Sequence, residues 1–164
     1  AGELLMGWAD EVRHFSPAGD PELGDPGGDR MDPDLMRRLD RGREESGRTF
    51  TVTDGWRSEA DQDRLRREGQ TLYKASAHPL GKGVDGYSEG WTLLEMYQHW
   101  SQYRFWGYGL YPFTKSGKPA IHLDTMDRQL GRALVWVRLK SGRYVYAPDP
   151  AFWAAWLEIL RAGA

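Results

Sequence analysis

Ser76-Ala77-His78-Pro79-Leu80-Gly81-Lys82-Gly83-Val84-Asp85, answered downstream by Ile121-His122-Leu123-Asp124, is the part of this 164-residue chain from which the rest can be read. Two of the four histidines lie in these segments, each a few residues from an aspartate. Imidazole nitrogen and carboxylate oxygen together suit a divalent metal such as zinc. Two histidines and one aspartate fill three tetrahedral positions and leave the fourth for water, the layout of a catalytic zinc site rather than a structural one. His122 and Asp124 are two apart on a predicted strand, so both side chains leave the same face.

The rest of the chain bounds what such a site can serve. The length fits one domain over 1–164 with a real core. The composition is 40% apolar and 28% charged, with eight Trp and eight Tyr. A formal net charge of -2 offers no global attraction to nucleic acid or anionic membrane. The arginines are spread along the chain, and Arg64, Arg66 and Arg67 read as a solvated helix face. With no cysteine, disulfides, thiolate metal sites and cysteine nucleophiles are excluded. No apolar run reaches membrane-spanning length. The chain is expected to act as a monomer, without nucleic acid and without membrane insertion.

Residues 16–33, with four prolines, read as a loop or arm. Asp32-Pro33 opens a predicted helix running to about residue 45, with Leu35, Met36 and Leu39 inward. Residues 49–53 alternate as a strand, which Asp54-Gly55 should turn. Ser58 caps a helix over 59–68, residues 70–90 are mostly loop with a strand near 83–87, and an aromatic-rich helix covers 91–103. Strands follow at 105–110 and 120–124, and Lys140-Ser141-Gly142 joins strands 133–139 and 143–147 as a hairpin. Asp149-Pro150 opens a last helix with Trp153, Trp156, Leu157 and Leu160 inward. The sum is an α+β domain with a small, mainly antiparallel sheet and flanking helices.

The order Gly55-Trp56-Arg57-Ser58, Gln62, Ser76-x-His78-x-x-Gly81-x-Gly83-x-Asp85, Gly109-Leu110-Tyr111-Pro112 and Ile121-His122-Leu123-Asp124-Thr125 resembles the zinc D-Ala-D-Ala carboxypeptidase and murein endopeptidase family. That family shares its fold with the hedgehog signalling domain. His14-Phe15-Ser16-Pro17 and Met31-Asp32-Pro33 look like the branch found in many phage and bacterial cell-wall peptidases, and the likeness spans about residues 14–137. It implies one Zn2+ held by His78, Asp85 and His122. Arg57 would meet the substrate carbonyl or the oxyanion, Ser76 would support the ligand loop or bind substrate, and Gln62 would touch substrate. Gly83 departs from the alanine usual in the family.

Many relatives place a glutamate three residues before the last ligand, or a histidine two before it; here Pro119 and Ala120 stand there. That leaves Asp124 with two open roles: general base, or a carboxylate that orients a zinc-bound histidine. Glu89 and Asp127 are weaker candidates for the base. The implied activity is hydrolysis of stem or cross-link peptides of peptidoglycan at the cell envelope, as carboxypeptidase or endopeptidase, by a bacterial enzyme or a phage endolysin. The alternative is a zinc-containing wall-binding or virion module without catalysis. A two-histidine, one-carboxylate iron oxygenase fits poorly, since no histidine follows His122 and the predicted helices do not suit a double-stranded barrel.

Overall fold

The computed structural model describes residues 7–23, 30–69 and 76–163. Its centre is a six-stranded sheet, and each strand is short: β1 Thr51–Asp54, β2 Gly83–Tyr87, β3 Gly107–Tyr111, β4 Ala120–Asp124, β5 Leu134–Arg138 and β6 Tyr144–Tyr146. The order across the sheet is β1-β2-β4-β3-β5-β6. All neighbours are antiparallel except β3 and β5, which run parallel. Among the described residues, four α-helices accompany the sheet: α1 Pro33–Ser46, α2 Glu59–Arg67, α3 Leu93–Trp100 and α4 Pro150–Ala162. The expected α+β class with a mainly antiparallel sheet is what forms.

The helix starts follow the capping chemistry written in the sequence. Asp32 accepts from the Asp34 amide with Pro33 in the first turn, and Ser58 accepts from the Asp61 amide. Thr92 and Glu95 form a reciprocal capping box at α3. Asp149 accepts from the Ala151 amide ahead of α4.

Because side chains alternate along a strand, the sheet has two chemically distinct faces. Val84, Leu123 and Tyr108 form one row of the core face, and Ile121, Leu110, Val137 and Val145 the next. α3 lies against β3 and β4 on this side, with Met96 and Trp100 buried. α1 packs on α3, where Gly42 of α1 meets the Trp100 indole. The opposite face carries Asp85, His122 and Trp136.

Three expectations shift. The strand expected at 105–110 begins at Gly107, because Arg104 takes a left-handed conformation (φ 56°) and Phe105 turns into the core. The helix expected over 91–103 is α-helical only to Trp100, with a 3-10 turn over Ser101–Tyr103. On α4 the inward residues are Phe152 and Ile159, with Trp156 partly buried, whereas Trp153, Leu157 and Leu160 are exposed. That helix is apolar on more than one side, and its contacts decide which side turns in: Trp156 meets Tyr97 of α3 edge-on at 5.2 Å. The loops expected over 16–33 and 70–90 fall in part on residues 24–29 and 70–75, outside the described ones.

Candidate metal centre and active site

Rungs of the sheet assemble the site. Strand pairing sets Asp54, Asp85, His122, Gly109, Trp136 and Tyr146 in one row across β1, β2, β4, β3, β5 and β6. The row one step along the same face holds Ala120, Tyr111, Arg138 and Tyr144, and the row one step the other way holds Asp124, Gly107 and Leu134. His78 comes from the loop before β2. Its amide donates to Ser76 Oγ at 3.3 Å, so Ser76 shapes the turn that presents the imidazole.

His78, Asp85 and His122 meet, each offering one ligand atom, with those atoms all within 4.8 Å of one another. The histidine rings lie edge to face with centroids 5.1 Å apart. Each ring is fixed from behind. His78 Nδ1 lies 2.7 Å from the Gly55 carbonyl oxygen. A carbonyl can only accept, so Nδ1 donates to it, and Nε2 is the nitrogen turned toward Asp85, 3.5 Å away. His122 Nε2 donates to Asp124 Oδ2 at 2.8 Å, and Nδ1 faces Asp85 Oδ1 at 2.7 Å. Two nitrogens and a carboxylate thus converge with their tautomers set by hydrogen bonds on the far side, and this donor set fits a zinc-like cation.

Burial pushes the Asp85 carboxyl up, but the adjacent His78 and His122 outweigh it and hold the carboxyl well below the usual range. Burial works against a charge on His122, yet the hydrogen bonds to Asp124 and Asp85 raise it to about 9. Asp124 pays the same burial cost, and the hydrogen bonds from His122 and Arg128 bring it down to about 2.

Asp124 has no exposed surface. Its carboxylate accepts from His122, from Arg128 through two nitrogens at 3.0 and 2.8 Å, and from the Met126 amide at 3.1 Å. It therefore sits behind His122 rather than in the open part of the site. Two glycines of β3 make the room: a Cβ on Gly107 would lie 2.1 Å from Asp124 Oδ2, and one on Gly109 would lie 2.7 Å from the Trp136 indole. Trp136 leans toward His122, with ring centroids 5.1 Å apart.

In front of the three converging residues lies a cavity of about 340 Å³ whose wall includes Arg57, Ser76, Asp54, Tyr111 and Arg138. Arg57 is ion-paired with Asp54 and donates from Nη1 to Gln62 Oε1 at 3.0 Å. Gln62, expected at the substrate, is instead buried at 1% exposure, and the face it turns to the site is its contact with Arg57. Glu89 is exposed and paired with Lys118, and Asp127 is exposed and bonded to Gln129; neither lines the cavity.

Asp54 is the residue that sequence reasoning missed. Taken as the first residue of a turn, it is the last residue of β1 and the register partner of Asp85. Burial raises its carboxyl, the Asp85 charge adds to the rise, and His78 and Arg57 oppose it. Strand alternation alone would have put Asp54 on the core face with Val52; a register shift between Val52 and Asp54 turns it to the face of Asp85.

A family model described as peptidoglycan L,D-endopeptidase MepK matches residues 26–129, well over half of the chain. That span holds every site residue expected from the sequence and stops short of β5. Among solved structures, the crystal structure of Serratia marcescens L-Ala D-Glu endopeptidase ChiX is similar at 20% sequence identity and a TM-score of 0.49, over 73% of this chain and 95% of that one. No curated protein matches the chain. Among the described residues, no helix is long and apolar enough to cross a membrane.

Proposed function

Since the chain belongs to the peptidoglycan L,D-endopeptidase MepK family, the murein peptidase family anticipated from its motifs, we propose that it is a zinc-dependent endopeptidase cutting the peptides of peptidoglycan at the cell envelope. The observation that carries this reading is the convergence of His78 Nε2, Asp85 and His122 Nδ1, with both imidazoles locked from behind. His78, Asp85 and His122 would hold the ion. Zinc so held supplies Lewis acidity and lowers the pKa of water from about 15.7 toward about 7.

The protein's own groups do the rest. Arg57 stands at the cavity with its guanidinium aligned by Asp54 and Gln62, and it faces the negative charge that grows on the carbonyl oxygen. An oxyanion donor of this kind is typically worth about 3–4 kcal/mol. Among the described residues, Asp54 is the cavity carboxylate outside the ligand group, and it would take the proton of the attacking water and return it to the departing amine. Asp124, enclosed by His122 and Arg128, orients His122 and raises its basicity; of the two roles left open for it, the buried position supports this one. Ser76 holds the turn that carries His78.

The test is digestion of purified peptidoglycan by the full chain, with mass spectrometry of the released muropeptides and elemental analysis of the protein. New peptide ends that vanish with chelator and return with zinc support the reading. A protein that retains no transition metal, or cleavage that His122→Ala leaves intact, overturns it.

A further inference from the structure

The side of the cavity built by β5 and β6 lies beyond the family match, which stops at residue 129. Leu134, Trp136 and Arg138 alternate onto the cavity face of β5, and Tyr144 and Tyr146 do so on β6. Arg138 pairs in register with Tyr144, and its guanidinium lies 6.0 Å from the centre of that ring.

The charges of the wall are unevenly matched. Arg57 is ion-paired with Asp54, Arg128 is ion-paired with Asp124, and Asp85 belongs to the histidine group. Arg138 is half-buried and, among the described residues, lies over the Tyr144 ring without an ion pair. A guanidinium set against an aromatic ring and lacking an anion is a ready receptor for a carboxylate, which it can bind through two parallel hydrogen bonds. Its position sets how far from the metal centre that carboxylate would lie. Arg138 stands two residues along β5 from Trp136, and Trp136 shares the rung of His122. Two residues along the strand span about 7 Å and two strand spacings about 10 Å, so Arg138 stands about 12 Å across the sheet from His122, the reach of about three or four residues of an extended peptide.

We propose that Arg138, backed by Tyr144, is a subsite for a free carboxylate on the peptide substrate, a few residues from the bond cut, so that acidic stem peptides are selected over their amidated forms. The subsite rests on the peptidase reading for its ligand, but its binding can be measured apart from cleavage.

The test uses two synthetic stem peptides that differ only in whether the α-carboxyl of the D-Glu residue is free or amidated. Binding is followed by calorimetry and turnover by chromatography, for the wild-type chain, Arg138→Gln and Arg138→Lys. The wild type should bind the acid about tenfold tighter than the amide, the scale of one charge-assisted pair. Arg138→Gln should bind both alike, with KM for the acid raised and kcat nearly unchanged. Arg138→Lys should keep part of the preference, because a point charge replaces a two-pronged donor. An acid preference that survives in Arg138→Gln, or no preference in the wild type, overturns the subsite. If no peptide is cut but the wild type prefers the acid and Arg138→Gln does not, the subsite stands and the peptidase reading falls.

Discussion

His122 is gripped at both ends: Nε2 donates to Asp124 Oδ2 at 2.8 Å while Nδ1 faces Asp85 Oδ1 at 2.7 Å. The two carboxylates differ in surroundings. Asp85 stands partly open beside His78, whereas Asp124 is closed off by Arg128 and the Met126 amide. The ring is therefore aimed by a group that substrate cannot reach.

Replacing that group should act through the histidine. Asp124→Asn offers an amide that can donate where the carboxylate only accepted, and it leaves Arg128 without its anion. Removing such a supporting partner typically costs about 10–100-fold in metal affinity. A competition titration with a zinc chelator should show a loss of that size, with activity recovered in part by excess zinc. Unchanged affinity would separate Asp124 from the metal centre.

Asp54→Asn should behave in the opposite way. The residue lies on the cavity wall with Arg57 but outside the three converging ligands, so metal content should hold. Losing a positioned proton carrier lowers kcat by about 10²–10⁴-fold. Zinc stoichiometry measured beside kcat on muropeptides distinguishes the two variants: Asp124→Asn loses metal first, Asp54→Asn loses rate first. Full activity in Asp54→Asn removes it from the mechanism.

What the sequence disclosed and withheld follows from where each signal resides. His78, Asp85, His122 and Arg57 sit in short motifs whose order survives in one dimension, and they come together in three. The alternation of Ala120–Asp124 was legible because its polar and apolar residues separate cleanly onto the two faces. Asp54 was hidden because Asp-Gly is also a turn signal, and only pairing with β2 decides that the strand continues. Arg138 was hidden for a related reason: nothing local to β5 says that it runs parallel to β3 on the histidine rung. The inward side of α4 was misread because Trp153 and Leu157 are as apolar as Phe152 and Ile159, and contact with α3 makes the choice.

Gly107→Ala tests whether the space behind His122 is as tight as the geometry says. The new methyl would overlap Asp124 Oδ2, whose carboxylate is tied to both His122 and Arg128 and has nowhere to retreat. Overpacking of this sort costs about 1–3 kcal/mol. Denaturant unfolding should show that loss, together with weakened zinc binding because the His122 ring is displaced. A stability and metal affinity equal to the wild type would mean that β3 can move away from β4.

Alkaline pH should destabilise the fold through its buried tyrosines. Burial raises the Tyr103 phenol to about 12, aided by its hydrogen bond to Glu45 at 2.5 Å. Burial also raises Tyr108 to about 12, although its oxygen accepts from the Phe105 amide at 3.0 Å. An unfolded tyrosine ionises near pH ~10, so between that value and about 12 the unfolded chain releases protons that the folded chain retains. The sign is fixed by linkage: the stabilisation is whole below the unfolded value and is lost as pH rises through the folded one. Denaturant midpoints should fall across that window, while the phenolate absorbance of the native protein lags behind that of the denatured chain. Tyr103→Phe should flatten the fall, because the replaced ring has no proton to give up, and a slope identical to the wild type would place the pH sensitivity elsewhere.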